Sequence, residues 1–133
     1  MRIVDELLQP AREQELVSRA HIENIDMLHR IIERFGKYGG TAEGAAKILE
    51  RLEAEERQLN GSIDKLVDYR ARALRYIEHI HGEEHAVIFR YYISGETWDK
   101  IAEKTFMCIR RVYLLRRSAL KKLENLYLKG LDE

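Results

Sequence analysis

Apolar residues recur every three or four positions along most of the chain, the spacing of amphipathic α-helices. The first stripe predicts a helix over residues 11–35, beginning at Pro10 and ending at Gly36. After the loop GKYGG, Thr41 offers an N-cap for a second, long helix over residues 42–81. The two stripes comprise, in chain order, Leu16, Ala20, Ile25, Leu28, Ile31, Ile32 and Phe35, then Ile48, Leu52, Leu59, Ile63, Leu66, Tyr69, Leu74, Ile77 and Ile80.

The second stripe resumes in phase after Asn60-Gly61, which predicts a bend or register shift there rather than a full break. The stripe is narrow and charged residues flank it, so another helix must cover it. Either the first helix folds back on it or a second copy of the chain does. The pattern alone leaves both arrangements open.

Beyond residue 81 the helices become short and the turns regular. Residues 84–93 predict an apolar helix, Gly95 a turn, and Thr97 the N-cap of a short helix that ends near Thr105. A turn over residues 105–108 leads to a third helix over at least residues 109–123. This is the order of a helix-turn-helix, whose later helix lies in the major groove of DNA.

A helical wheel divides the third helix into a packing face and an outer face. Val112, Leu115, Ala119 and Leu123 share one side and are expected to pack on Ile88, Ile101 and Ala102. Three residues near the start of the outer face, Arg110, Tyr113 and Leu114, are placed for base edges. The predicted phosphate contacts are Arg117, Lys121 and the flanking Arg111 and Lys122. Arg116 lies beside the apolar stripe, and its guanidinium is expected to meet an acid.

Charge is unevenly distributed although the formal net charge is zero. Residues 1–85 hold 13 Lys/Arg and 17 Asp/Glu, whereas residues 86–133 hold 10 and 6. Residues 104–122 contain no acid, so the seven cations within that segment stand unopposed there. This concentration of positive charge favours contact with nucleic acid.

Composition supports an all-α protein in the cytoplasm. Charged residues make up 35% and apolar residues 45% of the chain, with one Pro. The single cysteine, Cys108, excludes an internal disulfide and is expected to be a buried small residue. No apolar run approaches the ~20 residues that span a bilayer, and the N-terminus does not resemble a secretory signal, so no membrane partner is expected.

The segment YYISGETWDKIAEK is followed by MCIRRVYLLRRSALKKL. On this motif, residues 83–126 resemble region 4 of sigma-70 factors, and the whole chain resembles the ArpU/RinA-like phage regulators. The resemblance implies a phage or prophage protein that binds upstream of a promoter and helps bacterial RNA polymerase transcribe. The spacing V-x-x-I/L-x-x-x-A-L-x-x-L of that family is matched by Val112, Leu115, Ala119, Leu120 and Leu123.

Four positions depart from the family pattern. Cys108 stands where the family has a serine cap, and Phe106 where it has a small or turn-forming residue. Phenylalanine is poorly suited to a turn with positive φ. Ile109 and Leu114 replace polar residues that face the groove in sigma factors, so the target bases need not be those that sigma factors read.

Other chemistry is weakly represented. Trp98 and the Tyr91-Tyr92 pair are expected to serve packing. His79, His81 and His85 lack the ligand spacing of a metal site. No phosphate-binding glycine loop or catalytic motif occurs, so we expect no cofactor, no metal and no enzymatic activity.

The sequence therefore predicts a helical hairpin or coiled coil over residues 1–81, for oligomerisation or docking, and a DNA-binding helix-turn-helix domain over residues 82–133. The expected partners are double-stranded DNA, bacterial RNA polymerase and a second copy of the chain. Two alternatives remain open. One is a protein-interaction module without strong DNA contact, and the other is a small terminase-like packaging component, although packaging proteins usually carry the DNA-binding part first. The operator, the genes controlled and the sign of regulation are not determined.

Overall fold

The computed structural model describes residues 1–130, which form five α-helices and contain no strand. The all-α class is therefore confirmed for this part of the chain. The helices are α1 (Gln9–Lys37), α2 (Ala42–Ile77), α3 (Gly82–Ile88), α4 (Trp98–Thr105) and α5 (Ile109–Lys129), with π-helical turns at Val4–Leu8 and Phe89–Ile93.

The prediction that helical structure begins at Pro10 is wrong, because the π-helical turn Val4–Leu8 runs directly into α1. The amide of Gln9 donates to the carbonyl of Val4, five residues earlier. This wider turn opens the hydrogen-bond ladder just before Pro10, whose ring would otherwise press on the carbonyl of Glu6. The second helix is also shorter than predicted and ends at Ile77.

By packing, the chain forms two compact units: the core unit, Met1–Glu15 with Leu66–Glu133, and the hairpin unit, Leu16–Lys65. The predicted boundary between a helical hairpin region and a helix-turn-helix domain lies after residue 81. The boundaries between the two packing units lie instead after residues 15 and 65. Both ends of the chain therefore contribute to the unit that contains α3, α4 and α5.

The core unit is organised around one apolar cluster to which the start of the chain contributes. Ile3, Leu7, Leu8 and Ala11 recur at helical spacing and are buried against residues of α2, α3 and α5. Their partners in this cluster are Ala73, Ile77, Ile80, Ile88, Tyr92, Ile93, Ala119, Leu120 and Leu123. Burying these side chains contributes about 1.5–3 kcal/mol for each large aliphatic one. The N-terminal residues are thus part of the core.

A buried guanidinium joins the N-terminal segment to the end of the second π-helical turn. Nη1 of Arg12 donates to the carbonyls of Tyr91 at 2.6 Å and Glu96 at 2.8 Å. Nη2 of Arg70 donates to the carbonyl of Ile93 at 3.1 Å. These carbonyls lie in or just after the last helical turn, where intrahelical donors are missing and positive charge is favoured.

Glu124 of α5 caps the first helical residues. Its carboxylate accepts hydrogen bonds from the amides of Ile3 at 2.9 Å and Arg2 at 3.0 Å. These bonds, the one to Ile3 above all, hold the pKa of Glu124 below its ordinary value despite partial desolvation. One turn further along α5, the Tyr127 hydroxyl donates to Glu6, which lowers the pKa of Glu6 and raises that of Tyr127.

In the hairpin unit, α1 folds back on α2 within one chain. The hydroxyls of Ser18 and Ser62 are 2.7 Å apart and buried, and Nδ1 of His21 lies 2.8 Å from a carboxylate oxygen of Glu55. Among residues 16–65, all of which the structure describes, Leu52 is the only buried apolar side chain. The unit therefore leaves much of its apolar stripe exposed.

The connection between α1 and α2 follows its sequence signals. Gly39 has φ 78°, and the amide of Gly40 donates to the carbonyl of Phe35, as in a Schellman motif. The predicted N-cap at Thr41 is confirmed, since its hydroxyl accepts from the amide of Gly44 at 3.0 Å. The helix α2 continues through Asn60-Gly61, so the expectation that the chain does not break there is confirmed.

None of the helices formed by residues 1–130 is long and apolar enough to cross a membrane.

Replacing Arg12 with lysine is expected to lower the free energy of unfolding by about 2 kcal/mol. A lysine keeps the charge, but it lacks the guanidinium plane that interacts with the Tyr91 ring, and its single ammonium would have to reach the same position as Nη1. Urea denaturation measures the loss. Arg72→Lys, at an exposed position of α2, is the control and should change stability by less than ~0.5 kcal/mol. Equal effects of the two substitutions would show that the two carbonyl contacts contribute nothing specific.

Candidate nucleic-acid interface

The helix α4 begins and ends as its sequence predicts. The Thr97 hydroxyl accepts from the amide of Lys100 at 3.3 Å, which confirms the N-cap, and Gly95 takes φ 75° in the preceding turn. Ile101 faces inward and forms a second buried cluster with Val87 and Val112. This cluster attaches α4 to both α3 and α5.

The turn between α4 and α5 places a phenylalanine in a conformation that favours glycine. Phe106 has φ 57° and ψ 34°, in the left-handed region. The amide of Met107 donates to the carbonyl of Ala102 at 3.1 Å, so Phe106 occupies the position that glycine usually takes in a Schellman motif. Its side chain is 96% exposed, so no packing compensates for the backbone strain.

The inner face of α5 packs as the helical wheel predicts. Val112 and Leu115 lie in the cluster with Ile101 and Ala102, while Ala119 and Leu123 lie in the main core with Ile88. Leu120 is also buried in the main core. The orientation of α5 about its own axis is thereby fixed.

The opposite face of α5 carries an exposed row that we name the outer row: Arg110, Leu114, Arg117 and Lys121. These residues follow at steps of four, three and four, so they lie along one line roughly 17 Å long. No hydrogen bond or ion pair is recorded for the three cations within the described part of the chain. Tyr113 is half-exposed beside the row, and its ring centroid lies 6.1 Å from that of Trp98. Asn125, which the sequence prediction omits, continues the row four residues after Lys121.

The two flanking cations of the prediction are engaged by α3. Nη2 of Arg111 lies 2.5 Å from Glu83, and Nζ of Lys122 lies 2.7 Å from Glu84. Hydrogen bonding to Glu83 raises the pKa of Arg111 above its ordinary value. Ion pairs between solvent-exposed side chains are screened by water and contribute little to stability. The seven predicted DNA-contacting residues therefore fall into two groups. Arg111 and Lys122 pair with acids of α3, and the other five are the outer row and Tyr113.

Two guanidinium groups and two aromatic rings form a stack that reaches α5 at Arg116. The guanidinium of Arg12 lies 3.7 Å from the ring centroid of Tyr91, and the Tyr91 and Trp98 rings stack with centroids 3.8 Å apart. The guanidinium of Arg116 lies 5.1 Å from the Trp98 ring centroid. The expected packing roles of Trp98 and Tyr91 are confirmed by this stack and by their contacts with the second cluster.

Within residues 1–130 Arg116 pairs with no acid, contrary to the expectation. Its guanidinium lies 5.1 Å from the ring centroid of Trp98, and its Nε is buried without a partner among these residues. An aromatic face offers a cation attraction without a second charge to desolvate. Burial raises the pKa of Tyr92, and the charge of Arg116 opposes that shift only in part.

The carboxylate of Glu96, in the turn before α4, forms ion pairs with two cations. Its carboxylate lies 2.7 Å from Nζ of Lys104 and 3.3 Å from Nη1 of Arg90. Desolvation alone would raise the pKa of Glu96, but the hydrogen bonds from Lys104 and Arg90 outweigh it and lower the value. Lys104 therefore has an acidic partner eight residues earlier in the chain, in the turn before α4.

Cys108 is exposed, which corrects the expectation that it is a buried small residue. It is the N-cap residue of α5, and its side chain makes no capping hydrogen bond. An N-cap residue lies outside the helix, so its side chain does not share the packing face.

Among residues 1–130 no group of three or more His, Cys, Asp or Glu side chains could hold a metal ion. The ring of His85 stacks on Phe89 at a centroid distance of 5.7 Å. That contact gives one of the three clustered histidines a packing role.

Comparison of the chain with protein-family models, with curated proteins and with solved structures gave no match.

Replacing Phe106 with glycine is expected to raise the free energy of unfolding by about 1 kcal/mol, because glycine adopts the left-handed conformation without strain. The corresponding rise in melting temperature is roughly 3–5 °C, measurable by circular dichroism. Phe106→Ala is the matched control, since it removes the ring but keeps a Cβ atom. Equal gains from both substitutions would assign the effect to the exposed ring and not to the backbone.

Proposed function

We propose that this protein is a sequence-specific DNA-binding transcription regulator of the phage or prophage type, in which α4 and α5 act as a helix-turn-helix. It acts at a promoter together with bacterial RNA polymerase, in the bacterial cytoplasm, and has no enzymatic activity. The observation that carries the proposal is the outer row of α5, an exposed line of cations in an acid-free segment that follows a tight turn.

The chemistry of the outer row suits a duplex. Arg110 lies near the start of α5, where a recognition helix reaches base edges, and its guanidinium can bind a guanine through two hydrogen bonds. Arg117 and Lys121 lie one and two turns beyond Leu114 and suit phosphates on the groove rim. The inner face is rigidly packed, so these groups are presented from a fixed support.

Arg111 and Lys122 are assigned to phosphate contacts as well. Their exposed pairs with Glu83 and Glu84 hold both side chains along the flank of α5. At Arg111 a phosphate can replace the Glu83 carboxylate at little net cost, because both partners of that ion pair are exposed. With these residues, ~4 to 6 phosphates per copy are neutralised, and affinity should fall steeply with salt.

We propose further that the hairpin unit pairs with that of a second copy. Met27 and Ile31 are one turn apart on α1, and both are exposed along a groove in this unit. A two-helix hairpin with one buried apolar residue gains most by covering such side chains. A dimer would present two copies of α5 to repeated half-sites.

Selection of bound sequences from a random DNA pool by the purified protein should enrich one motif. Arg110→Ala should change the preferred sequence, because a base contact is lost, and Lys121→Ala should weaken all sequences alike. Arg117→Ala should act like Lys121→Ala. Arg57→Ala, an exposed arginine of the hairpin unit, is the control and should leave both motif and affinity unchanged.

Alkylation of the single cysteine gives a second readout of the same binding. Cys108 is exposed at the start of α5, so bound DNA should slow its reaction with a maleimide.

In the selection experiment, a loss of affinity for all sequences alike in Arg110→Ala would remove the assignment of Arg110 to base readout. No enrichment by folded protein at low salt would favour the interaction module, and a ring of many subunits would favour the packaging component.

The dimer is expected to dissociate when Met27 and Ile31 are both replaced by glutamate, because two charges would have to be buried in the interface. Sedimentation velocity should give twice the chain mass for the native protein and the chain mass for the double variant. His29→Glu, about 200° around the helix from Met27, is the control and should remain dimeric. At ~50 µM a dimer with a Kd of about 1 µM or less is mostly formed. A native protein that is monomeric at this concentration would contradict this pairing.

A further inference from the structure

The centre of the outer face of α5 is apolar although its ends are cationic. Leu114 is 56% exposed, and Tyr113 beside it is 45% exposed. Both lie one turn after Arg110 and one turn before Arg117. A face selected only for solvation would carry polar side chains at its centre. This pattern instead matches an occupant that is anionic at its edges and apolar in its middle.

The major groove of DNA has that distribution of chemistry. Phosphates line both rims, and the only apolar group on the base edges is the C5-methyl group of thymine. Leucine has no hydrogen-bonding atom in its side chain, so within a groove it can discriminate bases only by this methyl group or by exclusion. The absence of acids over residues 104–122 makes the approach of a duplex favourable along the whole row.

The support beneath these two side chains fixes where they point. Val112 and Leu115, on either side of them in sequence, are held in the cluster with Ile101. The Tyr113 ring centroid lies 6.1 Å from that of Trp98, and Trp98 in turn contacts Tyr91 and Arg116. Leu114 is therefore presented outward by a packed helix and cannot turn inward to bury itself.

We propose that Leu114, with Tyr113 beside it, packs against thymine methyl groups, so that the preferred site has at least one A·T pair at the centre of each half-site. Arg110 and Arg117 bind on either side of these pairs. This inference rests on the proposed DNA binding and specifies which base chemistry α5 reads.

Deoxyuridine in place of thymidine tests the inference directly, because it removes only the methyl group and leaves every hydrogen-bonding atom in place. The probes are the duplex enriched by selection and the same duplex synthesised with deoxyuridine throughout. Affinity is expected to fall about 4-fold for each contacted methyl group. The dependence on salt should stay the same, since no phosphate contact changes.

Leu114→Ala should bind the two duplexes with nearly equal affinity, whereas Lys121→Ala should bind both more weakly and keep the difference. The matched control is Leu128→Ala. Leu128 is exposed to the same extent, 57%, and follows Leu114 by fourteen residues on the same side of α5, beyond the acid-free segment. Its variant should discriminate as the native protein does.

Three results would overturn the inference. Equal binding of the thymidine and deoxyuridine duplexes would leave DNA binding intact and remove the methyl contact. A difference that persists in Leu114→Ala and in Tyr113→Ala would place methyl recognition elsewhere or in DNA shape. No binding of either duplex by the folded native protein at low salt would remove the proposed function as well, and the apolar centre would then be a protein-docking face.

Discussion

The contact on which the core unit depends is the buried guanidinium of Arg12. Within the described residues its hydrogen bonds go to two main-chain carbonyls, and it lies 3.7 Å from the ring centroid of Tyr91. One side chain thereby ties the N-terminal segment to the end of the second π-helical turn and to the loop before α4. Since Tyr91 stacks on Trp98, and Trp98 contacts Arg116, the same guanidinium is the first member of the stack that supports α5. Lysine could not fill all of these roles at once, because it has no planar guanidinium to interact with the Tyr91 ring while donating to the two carbonyls.

The helix α5 joins two requirements that oppose each other. Its inner face must be apolar enough to be held by the two clusters, and its outer face must remain exposed and positive. The chain meets both because residues 104–122 contain no acid, and Glu83 and Glu84 of the neighbouring helix α3 pair with the flanking cations Arg111 and Lys122. The formal charge of the whole chain is zero, yet Arg110, Arg117 and Lys121 form a line of cations on one face that no acid of residues 1–130 engages. Net charge is thus a poor guide to the local field of this protein.

Phe106 marks a local conflict between sequence and fold. A large side chain occupies a left-handed residue of the turn and gains no packing in return. Such conflicts persist when the surrounding structure dictates the backbone, and they concentrate where surfaces meet partners. Here the turn is dictated by the capping bonds at the end of α4 and by the burial of Ile101 and Val112 on either side.

The sequence by itself determined the all-α class, most helix limits, the N-caps at Thr41 and Thr97, and the packing face of α5. These follow from local rules, because helical periodicity and capping involve residues only three or four positions apart. The DNA-binding role of the outer row rests on sequence pattern and resemblance, and it stays a prediction. Tertiary structure alone decided that residues 3–11 join the core, that Arg116 meets rings and not an acid, that Lys104 pairs with Glu96, and that Cys108 is exposed. Each of these depends on which distant segment arrives beside a side chain, and no spacing rule along the chain carries that information.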